Sequence, residues 1–510
     1  MDELNARVRA ICDLNVAESR EFSGRHEYDG RAQDLSPAGV AAGLAALRAA
    51  RAGSPALDDS HDEAHLRAFE DVQQVTYGDL ELHRRSPMQL LGELDLACYD
   101  REYAPPAQRA AARAAHLAAW PATIDAALTS LDSLSAPVAA GLLGAVRGLA
   151  AGLPADADPG AREAALAAHA RLVEHVEAAA KNGDPDCALG AAGLSALMST
   201  SEAMPVDVGD LARRADAERG RLLERLRQSC ALIDSSRPAL DVARELVRDH
   251  PDRAGVLEAA RYWTTRAIDF TRERDLVPYH DGVCLVQEAP PSRRWAMAMI
   301  TVTAPGEPEG PSYYHITPPE ESWPAEEAEE WLEVFSATTL PVITVHEVAP
   351  GHFSHGRAIR YAPTQVRRVL ASSAFIEGWA HYAEELCVEE GFLADDPRFA
   401  IGVWLEALVR VTRLACAIGV HTAGLTVAEA TGRFESDTHL LGSAAASEAR
   451  RATFDPTYGR YTWGKLEIYR LREKAQHQWG PDFTLHRFHK ALLDLGSPPL
   501  GLIGTAVDRG

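Results

Sequence analysis

The sequence predicts an all-α (mainly α) protein interrupted once by a small β-sheet or hairpin near residues 283–317. Three observations lead there. Ala, Leu, Arg and Glu recur at helical spacing along most of the chain, and Ala and Leu are among the strongest intrinsic helix formers. Between Leu276 and Pro324 prolines crowd at positions 290, 291, 305, 308, 311, 318, 319 and 324, where no helix passes. In that region WAMAMITVT at 295–303 and SYYHIT at 312–317 have strand-type residues and strand lengths.

Taken in chain order, helical spacing predicts helices over 37–52, 107–131, 137–153 and 161–180, separated by Gly, Pro or Asp punctuation. The span 206–248 reads as one or two long charged helices, with Pro251 opening the next. After Pro324 the helical pattern resumes almost to the end, and no repeat of fixed period interrupts it. A length of 510 residues allows about three domains. The pattern instead divides into an N-terminal helical lobe over 1–275 and a second helical region with the small sheet over 276–510, forming one integrated unit.

Lys and Arg number 51 against 74 Asp and Glu, a net charge of −23, and no basic stretch of convincing length offsets it. Phosphate backbones and anionic lipid surfaces are repelled by such a chain, so nucleic acid and membrane are not expected partners. The seven cysteines are scattered, odd in number and never form CxxC, which predicts reduced thiols and neither a metal knuckle nor a disulfide frame. MDELNARVRAICDLNVAESR lacks the apolar core of a secretory signal, and no run reaches the roughly 18 apolar residues of a membrane span. A soluble, cytoplasmic protein is expected, of unknown oligomeric state.

The chemistry concentrates in TTLPVITVHEVAPGHFSHGRAIR, which carries His346, Glu347, His352 and His355. In an HExxH helix the two His lie four apart on one face and share a metal, with Glu beside the bound water. Here the fourth position after His346 is Pro350, and His352 stands six residues on. On a straight helix that is about 600° of rotation and roughly 9 Å of rise, so the pair would diverge. Pro350 and Gly351 offer a way out, because Pro removes a helical hydrogen bond and Gly accepts unusual dihedrals; a bulge there would return His352 to His346. The alternative is an ordinary helix bearing two histidines, and His355 remains open as a substitute ligand.

A second stretch, SSAFIEGWAHYAEEL, places Glu377, His381 and Glu384 at i, i+4 and i+7 on one helical face. Glu377 follows His352 by 25 residues, a spacing suited to a carboxylate ligand supplied by the next helix. His381 and Glu384 read as partners that orient the ligands, with His381 also a candidate substrate contact.

HEVAPGH followed by EGWAHYAEE resembles the DUF885 family of bacterial proteins, which is similar in plan to the helical gluzincins such as carboxypeptidase Taq, the oligopeptidases and angiotensin-converting enzyme. The resemblance covers roughly residues 290–472 and extends to the N-terminal half only in helical character. HEVAPGH reads as the relatives' HExGH with two residues inserted. The resemblance implies a two-lobed helical fold with a deep cleft, Zn2+ on His346, His352 and Glu377, and Glu347 as general base. DPTYGRYTWGKLEIYRLR resembles the family's PGQAxxYxxGxxxIxxLR, with Tyr461 on the family's Tyr, a residue that hydrogen-bonds the oxyanion in the related peptidases; Tyr458 and Tyr469 are rival candidates. Tyr314, His381, His421, Arg451 and Tyr458 are candidate substrate contacts. The chain departs from the family at Ala417-Ile418, where Asp-Thr is usual, at Thr457-Tyr458 in place of Gly-Gln, and at Phe353 in place of a second His.

The expected activity is zinc-dependent cleavage of amide or peptide bonds in small peptides or peptide-like metabolites. Two alternatives stand beside it: a zinc hydrolase or lyase acting on a non-peptide metabolite, and a metal-free scaffold or binding protein of the same fold.

Overall fold

The structure, a computed structural model, describes residues 3–294 and 296–510. Helix dominates, with one small sheet, so the predicted class is the observed one. In the N-terminal part three long helices, α1 (Pro106–Leu128), α2 (Ala136–Gly148) and α3 (Pro159–Asn182), pack with α3 against both others. Each has a proline in its first turn, where the missing N–H is not needed, and the Asp158 carboxylate accepts from the Ala161 amide to cap α3. The charged span after residue 206 forms α4 (Val208–Ala231) and a shorter helix over Ala239–Leu246, and α5 (Gly255–Glu273) follows. Asp207 caps α4 by accepting from the Asp210 amide at 2.8 Å.

The sheet contains β1 (Cys284–Glu288), β2 (Ala298–Thr301) and β3 (Ser312–Ile316) in the order β1-β3-β2. β3 runs parallel to β1, with Cys284 opposite Ser312, and antiparallel to β2, with Ala298 opposite Ile316. β2 and β3 fall within the two strand-like runs of the sequence, whose first residue, Trp295, lies outside the described residues. β1 adds a third strand at the start of the predicted region.

The C-terminal part is built around α6 (Leu340–Glu347), α7 (His352–Tyr361), α8 (Ser373–Glu389), α9 (Pro397–Ala423), α10 (Gly442–Phe454) and α11 (Arg460–Trp479), with further helices between and around them. α9 starts on Pro397 behind the Asp396 cap and stops at Gly424, whose φ of 69° favours glycine. α8 and α11 approach so closely that a β-carbon on Gly378 would stand 2.5 Å from the Gly464 Cα. Only glycines fit that crossing.

The hydrophobic cores divide elsewhere than at residue 275. One core joins Leu194, Leu211, Leu226, Ala267 and Val277 to Val345, Trp379, Leu408 and Val507, so α4, α5 and the C-terminal helices share it. A second core gathers residues from Leu4 to Val176 and takes in Val366 and Leu370 from the C-terminal half. The 1–275 and 276–510 halves are therefore packed through one another. Among the described residues no helix is long and apolar enough to cross a membrane.

Candidate metal centre

α6 ends at Glu347 and α7 begins at His352, so the helix breaks where Pro350 and Gly351 suggested. The Gly351 amide reaches back to the Val345 carbonyl at 3.2 Å and the Phe353 amide to Val348 at 3.0 Å, which closes the break into a compact loop. A β-carbon on Gly351 would lie 1.9 Å from the His346 carbonyl oxygen, so the loop requires glycine. From α8, the Trp379 indole N–H donates to the carbonyls of Pro350 at 2.9 Å and Gly351 at 3.3 Å, pinning the loop from below.

This loop turns His352 back beside His346: their ring centroids are 4.7 Å apart at an interplanar angle of 83°. Glu377, one turn into α8, completes the group. Its Oε2 lies 3.5 Å from His346 Nε2 and 3.4 Å from His352 Nε2, and one ligand atom from each residue falls within 4.8 Å of the others. Tetrahedral zinc with bonds of about 2.0–2.1 Å keeps its ligand atoms about 3.3 Å apart. Both imidazole–carboxylate separations match that spacing, and two imidazoles with a carboxylate are a donor set suited to the ion.

Behind the triad stands Glu384. Its Oε1 accepts from His346 Nδ1 at 2.6 Å and lies 3.1 Å from Arg410 Nη2, while its Oε2 accepts from His381 Nδ1 at 3.0 Å. With Nδ1–H donated to Glu384, Nε2 is the nitrogen that gives up its proton to offer a lone pair toward Glu377 and His352, the tautomer a metal ligand needs. Burial opposes charge on His346, but the Glu377 and Glu384 carboxylates outweigh it and carry its pKa up to about 9. Burial also opposes charge on Glu377, and His346 and His352 overcome that, holding its carboxyl well below the ordinary range. Burial dominates at His381, assisted by Lys465, and brings its pKa down to about 3, so it is neutral.

Glu347 sits at the end of α6, next in chain to His346. Burial pushes its carboxyl pKa up, against the attraction of His352 and His346. Tyr461, from α11, lays its ring nearly parallel to His346, 24° between planes and 6.3 Å between centroids. The Gly378–Gly464 crossing fixes this pairing, because it sets α8 and α11 against each other one residue from Glu377 and three from Tyr461.

The sequence matches the model of the family described as "Bacterial protein of unknown function (DUF885)" over residues 18–507. The chain belongs to the DUF885 family. No curated protein matches it. Two solved structures have the same fold. A "putative lipoprotein of unknown function" from Shewanella oneidensis is 20% identical, with a TM-score of 0.77 over 98% of each chain. A "putative lipoprotein" from Colwellia psychrerythraea is 16% identical, with a TM-score of 0.81 over 99% of this chain and 98% of the other.

Within this DUF885 chain the remaining candidates separate into near and far. Tyr458 joins Tyr461 and Ala417 in a small cluster beside the triad, its hydroxyl donating to Glu448 at 2.5 Å. Arg451 stacks over the Tyr458 ring at 4.3 Å. Tyr469 lies apart, its hydroxyl on Glu389 at 3.0 Å. Four expected substrate contacts are instead buried with their polar atoms turned to the protein: Tyr458, fully buried with its hydroxyl on Glu448, and three others. Tyr314 is fully buried in the core under the sheet, its hydroxyl 3.5 Å from Thr344. His421 has Nε2 on the Ala452 carbonyl at 2.9 Å and Nδ1 accepting from the Leu189 amide at 3.3 Å, so it ties α9 to its neighbours. His381 is 1% exposed and faces Glu384. His355 is no substitute ligand: its Nε2 is 3.0 Å from Ser497 Oγ and 3.3 Å from the Gly496 carbonyl.

Sequence reading missed Arg410, Arg413 and the role of Trp379. The signal was present in α9, where Glu406, Arg410 and Arg413 interrupt a helix that is otherwise apolar on nearly every side. Charges in such a setting are paired, and here Arg410 meets Glu384 and Glu406 while Arg413 meets Glu448.

Proposed function

We propose that this protein is a cytoplasmic zinc-dependent hydrolase that cleaves amide or peptide bonds in small peptides or peptide-like metabolites, similar in plan to the helical gluzincin peptidases. The observation that carries the reading is the convergence of His346, His352 and Glu377 across a helix break that a straight helix would forbid. Seven free cysteines, five of them buried, support a reducing compartment.

His346, His352 and Glu377 would hold the ion. Zinc with three protein ligands supplies a Lewis acid with an open position, acidifying water and polarising a carbonyl. Glu347 then accepts the proton of the attacking water as its oxygen bonds to the carbonyl carbon. It delivers that proton to the leaving nitrogen as the carbon–nitrogen bond breaks. Burial makes Glu347 a stronger base than an exposed carboxylate, which suits both transfers. The Tyr461 hydroxyl donates to the oxygen on which negative charge develops, and Glu384 keeps the His346 ring from rotating.

Action on a non-peptide metabolite is favoured by one observation: Ala417 and Tyr458, both departures from the family pattern, stand together beside Tyr461. In either case Glu347→Gln should lower turnover of a panel of short peptides and amides by about 100-fold or more while zinc remains bound at one equivalent. Unchanged turnover in that variant would remove Glu347 from the reaction.

A further inference from the structure

Four guanidinium groups surround the aromatic pair beside the triad. Arg410 lies 5.8 Å and Arg413 5.3 Å from the Tyr461 ring centroid, and Arg413 lies 4.8 Å and Arg451 4.3 Å from that of Tyr458. Arg460, at the start of α11, completes the set. Three of the four are committed. Arg410 lies 3.1 Å from Glu384 and 3.0 Å from Glu406. Arg413 grips Glu448 through two hydrogen bonds of 2.7 and 2.8 Å. Arg460 holds Asp455 and donates to Thr457 at 2.8 Å.

Arg451 differs. Among the described residues its one hydrogen bond is a 3.4 Å contact to Asp455, a carboxylate that Arg460 already engages. A guanidinium carries five N–H donors in a planar fork, so most of those of Arg451 have no protein acceptor. The group is not lost to bulk solvent either: its side chain is 32% exposed, and its guanidinium carbon lies over the Tyr458 ring, 4.3 Å from the centroid, a cation–π contact that helps hold it in place. The third member of the cluster is Ala417, which offers no acceptor. Arg451 is thus a held, under-used fork one aromatic ring away from Tyr461, and Tyr461 is stacked on the ligand His346.

Resting on the hydrolase reading above, we propose that Arg451 anchors the free α-carboxylate at the C-terminal end of the substrate, so that the enzyme removes terminal residues from peptides or N-acyl amino acids. A fork of this shape meets a carboxylate through two parallel hydrogen bonds. The overall charge of −23 gives the same requirement, because an anionic substrate approaching this chain needs a local cation to hold it.

The test compares short N-acylated peptides ending in a free carboxylate with the same peptides as C-terminal carboxamides. It uses zinc-loaded wild type, Arg451→Met and Arg451→Lys. Wild type should prefer the acids on the order of 100-fold in kcat/KM, mainly through KM. Arg451→Met should lose that preference with little change on the amides, and Arg451→Lys should recover part of it. A second arm needs no turnover: calorimetric titration of the metal-free protein with N-benzoyl amino acids should show binding by wild type and none by Arg451→Met, and the matching amides should bind neither. Equal turnover of acids and amides by wild type, or a preference that survives in Arg451→Met, overturns the anchor and leaves the hydrolase standing. If neither series is cleaved the hydrolase reading falls, and the binding arm decides the anchor alone: acid binding lost in Arg451→Met supports it, and absent or unaltered binding overturns it.

Discussion

At the scale of single residues, Glu384 does the most for the site without belonging to the triad. Three donors converge on it, from His346, His381 and Arg410, and burial makes each contact costly to lose. Glu384→Gln keeps the shape and removes the charge that Arg410 and His346 face. Zinc affinity, measured by competition with a chelator, should fall about 10–100-fold, and helical content should remain. Undiminished affinity would make Glu384 a packing residue only. His346, Glu347, His352 and Glu377 were legible in the sequence because metal chemistry admits few residue types at few spacings. Tyr314 and His421 were not placed correctly, because a linear pattern gives residue type and leaves side-chain partners open: the hydroxyl of one meets Thr344 and the ring of the other meets two backbone groups. Arg451 needed the fold as well, since its distinction is the acceptors it lacks.

At the scale of elements, the α6–α7 break and the α8–α11 crossing hold the centre together. Both depend on glycines that pack against backbone, where a side chain has nowhere to go. Gly351→Ala drives a methyl into the His346 carbonyl, so the break must reshape and His352 must swing away. We expect zinc binding to be lost, with a destabilisation of about 1–3 kcal/mol by urea titration. Retained stoichiometric zinc would show that the loop tolerates the change. Gly464→Val, at the crossing, should cost more, since two helix backbones must separate. Helices, their proline starts and their glycine stops were legible because those signals are local. The length of α4 and the entry of strand β1 into the sheet were less so: β1 pairs only with β3, 28 residues away in register, and nothing nearby in sequence announces it.

At the scale of the whole molecule, Glu202 links the N-terminal half to the centre. Its carboxylate accepts from Ser372 Oγ at 2.8 and 2.9 Å and from the Leu500 amide at 2.9 Å, and Ser372 is the cap of α8, the helix that carries Glu377. Burial raises its pKa to about 7, against the hydrogen bonds from Leu500 and Ser372. A raised pKa in the folded state means that the protonated form is the one folding favours. Its contribution is therefore full below about pH 4.5 and is lost as pH rises through 7, a change of roughly 3 kcal/mol. Glu202→Gln should flatten that part of the urea stability profile between pH 5 and 8; a wild-type profile no steeper than the variant's would remove Glu202 as its cause. The interpenetrating cores were the least legible feature, because composition shifts at residue 276 while packing does not. The central claim is that a chain whose helix should have separated its two histidines brings them, with Glu377, onto one zinc ion. The most direct measurement is a crystal structure of the zinc-soaked protein at the zinc absorption edge. The account predicts one anomalous peak about 2.0–2.2 Å from His346 Nε2, His352 Nε2 and a Glu377 oxygen, absent in His346→Ala. A zinc peak elsewhere, or none at these three residues, would contradict it.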